Sequence, residues 1–204
     1  EVITGFGRTG NDFGCTTMAI ESPDMMTFAK QLSSAYMPIS ASAIRREMYD
    51  AMIEQSASAG AFGHGYTYSG HPVACAVALK TLEIYQRDKI FEKAAESGAY
   101  LQKRLAEFAD HPLVGEVRGS GLIGALELVA NKETGEPFVG GAVGGYAQKM
   151  AQDNGLLIRT VAGSCLGFCP PLIITNEQID EMIEKVAPAL DATLDHCKKE
   201  NLLR

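Results

Sequence analysis

The sequence predicts a mixed fold that is α/β over residues 1–88 and α+β over residues 89–204. In the first part, short apolar strands alternate with segments that carry helical spacing, which is the pattern of an α/β layer. In the second part, two stretches that alternate around a glycine-containing turn predict an antiparallel hairpin, with helices before and after it. We therefore expect two domains, with their boundary near residue 88.

The first thirty residues are predicted to form a strand end, a loop and a second strand. Residues 1–4 read as the end of a strand, and four glycines within residues 5–14 then forbid a regular helix and mark a loop. Residues 23–29 combine a Pro-Asp turn with a short apolar strand. Lys30 lies at the C-terminal end of this strand.

A further strand and three helices are predicted up to residue 109. Residues 38–43 are small and apolar, which favours a buried strand, and residues 43–54 carry helical spacing. Residues 56–71 are rich in Gly, Ser and aromatic groups and are predicted to form a loop. Because proline suits the first helical position, a helix is predicted from Pro72 to about residue 88, and another over residues 89–109.

The C-terminal part is predicted to combine a small sheet with helices. Residues 114–128 alternate around a Gly-Ser-Gly turn, which predicts a hairpin. A helix is expected near residues 143–154, followed by short strands over residues 156–159 and 165–169. The last helix, over residues 176–199, is preceded by a threonine and has a glutamine at its third position, which together resemble a capping box.

Composition and charge argue against several classes of function. The 204 residues carry 18 Lys and Arg against 25 Asp and Glu, and the net charge of −7 argues against a nucleic-acid-binding surface. No run of about eighteen apolar residues is present, so no membrane-spanning helix is predicted, and no signal peptide is recognisable. The five cysteines lack Cys-x-x-Cys spacing, which favours free thiols in the cytoplasm over a disulfide framework or a zinc site.

The segment Gly5–Gly10 matches the dinucleotide pattern G-x-G-x-x-G, which would suggest a nucleotide-binding oxidoreductase. That pattern works only when its glycines open a helix whose N-terminus holds a pyrophosphate. Here Gly14 follows, the residues after Gly10 lack the apolar spacing of a helix, and no acidic residue stands at the expected distance after a second strand. A glycine-rich loop that needs positive φ is the favoured interpretation.

Two basic side chains are candidates for chemistry. Lys30 ends an apolar strand, and a lysine held against apolar walls can act as a neutral amine nucleophile or base. Arg159 ends the predicted strand 156–159, and a guanidinium suits two-point recognition of a carboxylate. By spacing alone, a solvent-reaching lysine and a surface ion pair remain the more ordinary alternatives.

The polar and aromatic stretch His64–Pro72 precedes a predicted helix, and its hydroxyl and backbone N–H groups could take an anion such as a phosphate. Ordinary turn and capping chemistry is the alternative for Thr67 and Ser69. A metal site at His64 and His71 is rejected because no third ligand stands at a plausible spacing, so no metal is predicted.

Five segments, in the same order, resemble class III aminotransferases, the pyridoxal-phosphate (PLP) enzymes that include the ω-transaminases. Residues Glu1–Gly10 are similar to the family's D-E-V-x-x-G-F-G-R-T-G, and Pro23–Lys30 are similar to P-D-x-x-x-x-A-K. Tyr66–Pro72 are similar to T-[FY]-x-G-H-P. Gly155–Arg159 are similar to G-L-x-x-R, and Pro170–Thr175 to P-P-L-x-x-T.

The resemblance implies the fold and the roles of particular residues. It implies a fold-type I PLP transferase, in which residues 1–88 finish the large PLP-binding domain and residues 89–204 form the small C-terminal domain. Lys30 would bond covalently to PLP and later shuttle the proton, and Val2 would pack on the cofactor ring. Tyr66 and Thr67 would also bind the cofactor, with Thr67 on the phosphate of the neighbouring subunit. Arg159 would be the mobile arginine that clamps a substrate carboxylate.

The resemblance further implies transamination from an ω-amino acid or amine to a keto acid such as pyruvate, by a homodimer or dimer of dimers. Other class III enzymes, an aminomutase or a dialkylglycine-type decarboxylase, share the same cofactor signals. A non-enzymatic fragment that only packs against a partner is the alternative from another class.

Three departures from the family pattern shape these expectations. The family's aspartate that precedes Glu1 and the upstream half are absent, so the chain is expected to be a C-terminal half that is inactive alone. Gln31 replaces a common glycine, and Gly163-Ser164 replaces a common Gly-Asp, which affects local backbone and substrate choice.

Overall fold

The computed structural model describes all 204 residues and divides into two compact units, Glu1–Phe91 (unit 1) and Glu92–Arg204 (unit 2). The helices are α1 (Gly14–Thr17), α2 (Arg46–Ala59), α3 (Pro72–Arg87), α4 (Ile90–Ala106), α5 (Ala142–Asp153) and α6 (Asn176–Lys199). The strands are β1 (Met25–Phe28), β2 (Ala41–Ile44), β3 (Val114–Ser120), β4 (Ile123–Asn131), β5 (Glu136–Pro137), β6 (Arg159–Val161) and β7 (Cys165–Phe168). None of these helices combines the length and the apolar character needed to cross a membrane.

Unit 1 contains a two-stranded antiparallel ribbon of β1 and β2, in which Met25 lies opposite Ile44 and Phe28 opposite Ala41. Both strands were predicted, but the expectation that residues 38–43 form a buried strand is wrong. All four residues of β2 are exposed, because the ribbon has no third strand and nothing in this chain covers β2. Helix α2 likewise has no buried residue.

The first residues of unit 1 form turns, so the predicted strand end at residues 1–4 is wrong. The Glu1 carboxylate folds back onto the start of α1 and accepts the N–H groups of Gly14 and Cys15, each at 2.8 Å, and the Thr4 hydroxyl, also at 2.8 Å. Partial burial alone would raise the pKa of the Glu1 carboxyl. The three hydrogen bonds outweigh that effect, and the pKa lies below its ordinary value.

Three phenylalanine rings fasten the glycine-rich loop to β1. Phe6, Phe13 and Phe28 have ring centroids 5.5 to 5.8 Å apart, in the tilted and edge-on arrangements that aromatic rings prefer. Gly7 has φ +89°, and a Cβ there would lie 2.6 Å from the Phe91 ring, so the loop requires glycine at this position. The loop is therefore a fixed part of unit 1.

Unit 2 is built on an antiparallel sheet with strand order β3-β4-β7-β6, and β5 pairs with β4. The predicted hairpin is confirmed, with Val117 opposite Leu126 and Ser120 opposite Ile123. Along β4 the buried residues alternate with partly exposed ones before the strand becomes fully covered. The unit's core consists of side chains that are at most 1% exposed, including Leu101, Leu105, Leu113, Val114, Leu122, Leu126, Leu128, Leu166, Ile179, Val186 and Leu190.

Two helix starts follow from local chemistry. The capping box of α6 is confirmed, because the Thr175 side chain accepts the N–H of Gln178 at 3.3 Å and the Gln178 side chain accepts the N–H of Thr175 at 3.1 Å. Helix α3 begins at Pro72, as predicted. His71 occupies its N-cap position without a side-chain capping bond.

The strand predicted over residues 156–159 lies elsewhere, because β6 begins at Arg159 rather than ending there. The register pairs Arg159 with Gly167 and Val161 with Cys165. Extending the ladder backwards would bring residues 155 and 156 opposite Pro171 and Pro170, which have no N–H to donate. The ladder stops at Arg159 and Gly167, and the double proline excludes pairing at residues 155 and 156.

Gly98 of α4 lies against the hairpin turn of the sheet, where a Cβ would come within 2.6 Å of the Gly121 backbone. Helix propensity favours alanine, but this contact is with backbone that cannot move aside. We expect Gly98→Ala to lower the free energy of unfolding by roughly 1–3 kcal/mol, measured by denaturant titration of the intact protein. The matched control is Gly145→Ala in α5, where a Cβ meets nothing within 4 Å.

Gly145→Ala should raise the free energy of unfolding by about 0.5–1 kcal/mol, because alanine loses less conformational entropy than glycine when a helix forms. Equal effects of the two substitutions would show that the close approach of α4 to the hairpin is not a constraint.

Glu1→Gln should lower the free energy of unfolding by about 1 kcal/mol at neutral pH, since the carboxylate caps α1. Because folding lowers the pKa of this carboxyl, its contribution is present above the unfolded value of 4.5 and is lost as the pH falls through the lower folded pKa. Denaturant titrations of the intact protein should therefore show the two proteins converging in acid. Glu21→Gln, at an exposed carboxylate of the same unit, serves as the control. A gap between wild type and Glu1→Gln that does not change with pH would contradict the capping role.

Candidate active site

Lys30 follows β1 directly and begins a single 3-10 turn, Lys30–Leu32. Its φ is +46°, a left-handed conformation that costs a residue with a Cβ free energy. Its side chain is exposed and makes no hydrogen bond or ion pair within this chain. The apolar walls that the sequence analysis expected around the amine are therefore not supplied by these 204 residues.

The backbone after Lys30 closes on itself in a Schellman-like arrangement. The N–H of Ala35 donates to the Lys30 carbonyl at 3.3 Å, and the N–H of Ser34 donates to the Gln31 carbonyl at 3.2 Å. Ser34 and Ala35 also have positive φ, +49° and +63°. The buried Ser33 hydroxyl donates to the Met37 carbonyl at 2.7 Å and fixes the exit of the turn.

Tyr85 contacts this turn from α3, a position that sequence reasoning treated only as helix. Its hydroxyl donates to the Gln31 carbonyl at 2.9 Å, and the side chain is 7% exposed. Burial raises the pKa of the Tyr85 phenol, although a hydrogen bond with Ser34 and the charge of Arg8 oppose the rise. The phenol therefore remains a protonated donor at neutral pH.

Val2 lies on the glycine-rich loop and is 36% exposed. The phenylalanine cluster holds that loop against β1, and Phe28 of the cluster lies two residues before Lys30. The structure thus attaches the loop that carries Val2 to the strand that leads into Lys30.

Tyr66 and Thr67 lie in a stretch, residues 61–70, that is exposed throughout. A turn orders its tip, since the N–H of Ser69 donates to the Tyr66 carbonyl at 2.9 Å and the Ser69 hydroxyl accepts the N–H of Tyr66 at 3.1 Å. The Thr67 hydroxyl has no hydrogen-bond partner in this chain. No hydrogen bond joins the stretch to the Lys30 turn, so unit 1 alone does not bring these residues together.

Arg159 begins β6 in unit 2 and is exposed. It is the one arginine of the chain whose side chain has no hydrogen bond or ion pair; the others are all engaged, for example Arg118 with Glu116 at 2.8 Å and Arg45 with Asp24 at 3.0 Å. Its guanidinium is therefore available to an external carboxylate.

A cavity of about 620 Å³ opens in unit 2 beside the segment that precedes Arg159. Residues 156–158 and 167–171 line it together with the first turns of α6, and the Lys185–Glu181 ion pair at 2.5 Å lies among its lining residues. Sequence analysis did not anticipate this cavity, and it contains none of the predicted site residues.

The dinucleotide interpretation of Gly5–Gly10 is not supported. These residues form turns, and the helix that follows begins only at Gly14 and has four residues. A pyrophosphate site needs glycines that open a helix with several aligned N–H groups. The 204 residues also contain no group of three or more His, Cys, Asp or Glu side chains arranged to hold a metal ion.

Comparison with known proteins gives consistent matches. The family described as aminotransferase class-III matches residues 1–190. The putrescine–pyruvate aminotransferase of Pseudomonas aeruginosa is 48% identical over 194 residues, which are 95% of this chain and 41% of that protein. The chloroplastic gamma aminobutyrate transaminase 3 of Solanum lycopersicum is 44% identical over 194 residues, 95% of this chain and 37% of that protein.

Solved structures show the same likeness. The omega transaminase of Pseudomonas jessenii in complex with PMP matches with a TM-score of 0.91 and 46% identity, over 96% of this chain and 43% of that chain. A transaminase with L-Ala matches with a TM-score of 0.92 and 46% identity, over 96% of this chain and 46% of that one. The chain thus spans about two fifths of the length of the curated relatives named above. With the family pattern matched over residues 1–190 and the fold of the solved transaminases reproduced, this chain belongs to the class III aminotransferases and has their fold-type I architecture.

Proposed function

We propose that the protein to which this chain belongs is a PLP-dependent transaminase that moves an amino group from an ω-amino acid or amine to a keto acid such as pyruvate. The observation that carries the proposal is the free amine of Lys30, held at the end of β1 by a left-handed turn. Substrates and cofactor are inferred for the longer protein, since this chain spans only about two fifths of its curated relatives.

The residues of this chain fit the cofactor. Lys30 offers an amine that no carboxylate occupies, and Val2 offers an apolar surface on a loop that is fixed to the same strand. Thr67, beside Tyr66, offers an unpaired hydroxyl in an ordered turn, which suits a phosphate oxygen. When bound, PLP supplies the electron sink that stabilises negative charge at the reacting carbon.

Lys30 has two tasks in this proposal. Its Nζ would hold the cofactor covalently, and as a free amine it would take the proton from the substrate carbon that carries the amino group. A general base must stay within hydrogen-bond reach of that proton. The fixed backbone of the 3-10 turn serves this need, because it limits the directions in which the long side chain can extend.

Arg159 recognises the carboxylate of an amino or keto acid. A guanidinium binds a carboxylate through two parallel N–H···O bonds, and Arg159 has no internal partner that would compete. For an amine without a carboxylate, the exposed side chain would swing aside.

We infer a homodimer, or a dimer of dimers, in which Thr67 binds the phosphate of the neighbouring subunit's cofactor and Tyr66 beside it also binds the cofactor. The support is the exposed stretch that carries them, in which Phe62, Tyr66 and Tyr68 are 63%, 77% and 79% exposed. Such a concentration of exposed aromatic rings is typical of a surface that binds another protein.

The domain assignment also remains part of the proposal. Residues 1–88 would end the large PLP-binding domain, and residues 89–204 would form the small C-terminal domain. The isolated chain is expected to be inactive, because the polypeptide that would cover unit 1 is not among its residues. All five cysteines are free, which fits the cytoplasmic location that we propose.

Lys30→Ala in the full-length enzyme should abolish transamination and the visible absorption of lysine-bound PLP, because no other amine occupies that position. The matched control is Lys89→Ala, which removes another exposed lysine of unit 1 that also has positive φ, +52°. Activity assays and spectra test the pair, and mass spectrometry after borohydride reduction should locate the cofactor's mass on the Lys30 peptide. A label on another peptide would remove Lys30 from the mechanism.

Arg159→Ala should raise the KM for keto acids and carboxylate-bearing donors roughly 10- to 100-fold, the cost of losing a charge-assisted pair. The KM for an amine that lacks a carboxylate should change by no more than about twofold, since the lost contact is specific to carboxylates. Arg204→Ala, which removes an arginine paired with Glu136, is the control in the same unit. If both donor classes lose affinity equally, Arg159 does not recognise the carboxylate.

A further inference from the structure

The six residues that begin with Lys30 concentrate unfavourable backbone conformations. Lys30, Ser34 and Ala35 all have positive φ although none is a glycine. Residues with a Cβ persist in this region only where the surrounding structure compels them, and such residues cluster at functional sites. Something in unit 1 must therefore hold the turn closed.

The Gln31 carbonyl is the point at which the turn is fastened. It accepts the N–H of Ser34 at 3.2 Å from within the turn and the Tyr85 hydroxyl at 2.9 Å from α3. Tyr85 is itself held, because its ring is buried and lies 5.3 Å from the Phe91 ring. A rigid side chain from a long helix thus fixes the peptide group between Gln31 and Leu32, one residue after Lys30.

We propose that Tyr85 is a positioning residue for Lys30. Its hydroxyl holds the Gln31 carbonyl, and this keeps the Lys30 backbone in the left-handed conformation that sets the direction of the amine. The inference rests on the proposed function of Lys30 and extends it to a residue 55 positions away in the sequence.

The hydroxyl and the ring of Tyr85 have separable effects. Phenylalanine at position 85 would keep the buried ring and its contact with Phe91, and the Gln31 carbonyl would keep the N–H of Ser34. Only the hydrogen bonds of the Tyr85 hydroxyl, with the Gln31 carbonyl and with Ser34, would be lost. A less restrained turn spreads the positions of Nζ, and proton transfer is more sensitive to that spread than substrate binding is.

The experiment compares Tyr85→Phe with Tyr100→Phe in the full-length enzyme. Tyr100 is the matched control, because Tyr100→Phe also removes a hydrogen-bonded phenolic oxygen. That hydroxyl donates to Asp180 at 2.7 Å in unit 2, whereas the Lys30 turn belongs to unit 1. Tyr85→Phe should lower kcat about tenfold and leave the KM of both substrates within about twofold, whereas Tyr100→Phe should leave both parameters within about twofold. Equal kcat values for the two variants, or a loss confined to KM, would overturn the positioning role.

A second measurement tests the stability of the turn independently of catalytic activity. Hydrogen exchange of the cofactor-free protein should be faster in Tyr85→Phe at the amides of Ser33, Ser34 and Ala35, which donate to the Lys30 and Gln31 carbonyls. Tyr100→Phe should leave these amides unchanged. Unchanged exchange in Tyr85→Phe would show that its hydroxyl does not hold the turn.

The two proposals fail in different ways. If Lys30→Ala retains transamination, the proposed role of Lys30 in the reaction is disproved, and the positioning role of Tyr85 is disproved with it. Should Lys30→Ala be inactive while Tyr85→Phe matches wild type in kcat and in exchange, only the positioning role is lost.

Discussion

The left-handed backbone of Lys30 is the constraint around which unit 1 is arranged. A residue with a Cβ enters this conformation at a cost, so its neighbours must make every alternative worse. The phenylalanine cluster fixes the strand before Lys30, and the hydrogen bonds to the Lys30 and Gln31 carbonyls fix the turn after it. With the chain anchored on both sides, the amine projects from a rigid point although its own side chain is exposed.

Elements that depend on local chemistry could be predicted from the sequence. The Thr175–Gln178 capping box and Pro72 fixed two helix starts, because each acts within a few residues of its own position. The hairpin of β3 and β4 followed from alternation around a turn. Lys30 and Arg159 were candidates because each was predicted to end a strand, but only the order of the family segments favoured chemistry over an ordinary surface lysine and ion pair.

What could not be predicted depends on partners far along the chain. The predicted burial of β2 was wrong because the sequence does not reveal how many strands a ribbon will have. Arg159 begins a strand rather than ending one, because its pairing with β7 starts opposite Gly167 and runs on to Val161 and Cys165. The bond from Tyr85 to Gln31 spans 54 residues, so no local pattern could indicate it. The left-handed turn at Lys30 also lacked the glycine that normally marks such a conformation.

Helix α3 explains why Lys30 is rigidly held and yet exposed. One face of this helix, which includes Tyr85, is buried against unit 1, while the opposite face presents Val73 and Leu79, 53% and 64% exposed. A helix that is apolar on both faces is normally covered on both. Together with the exposed β2 and α2, this indicates a layer that further polypeptide would cover. We therefore expect the apolar surroundings of the Lys30 amine to come from that covering, while the turn that aims the amine is already complete in this chain.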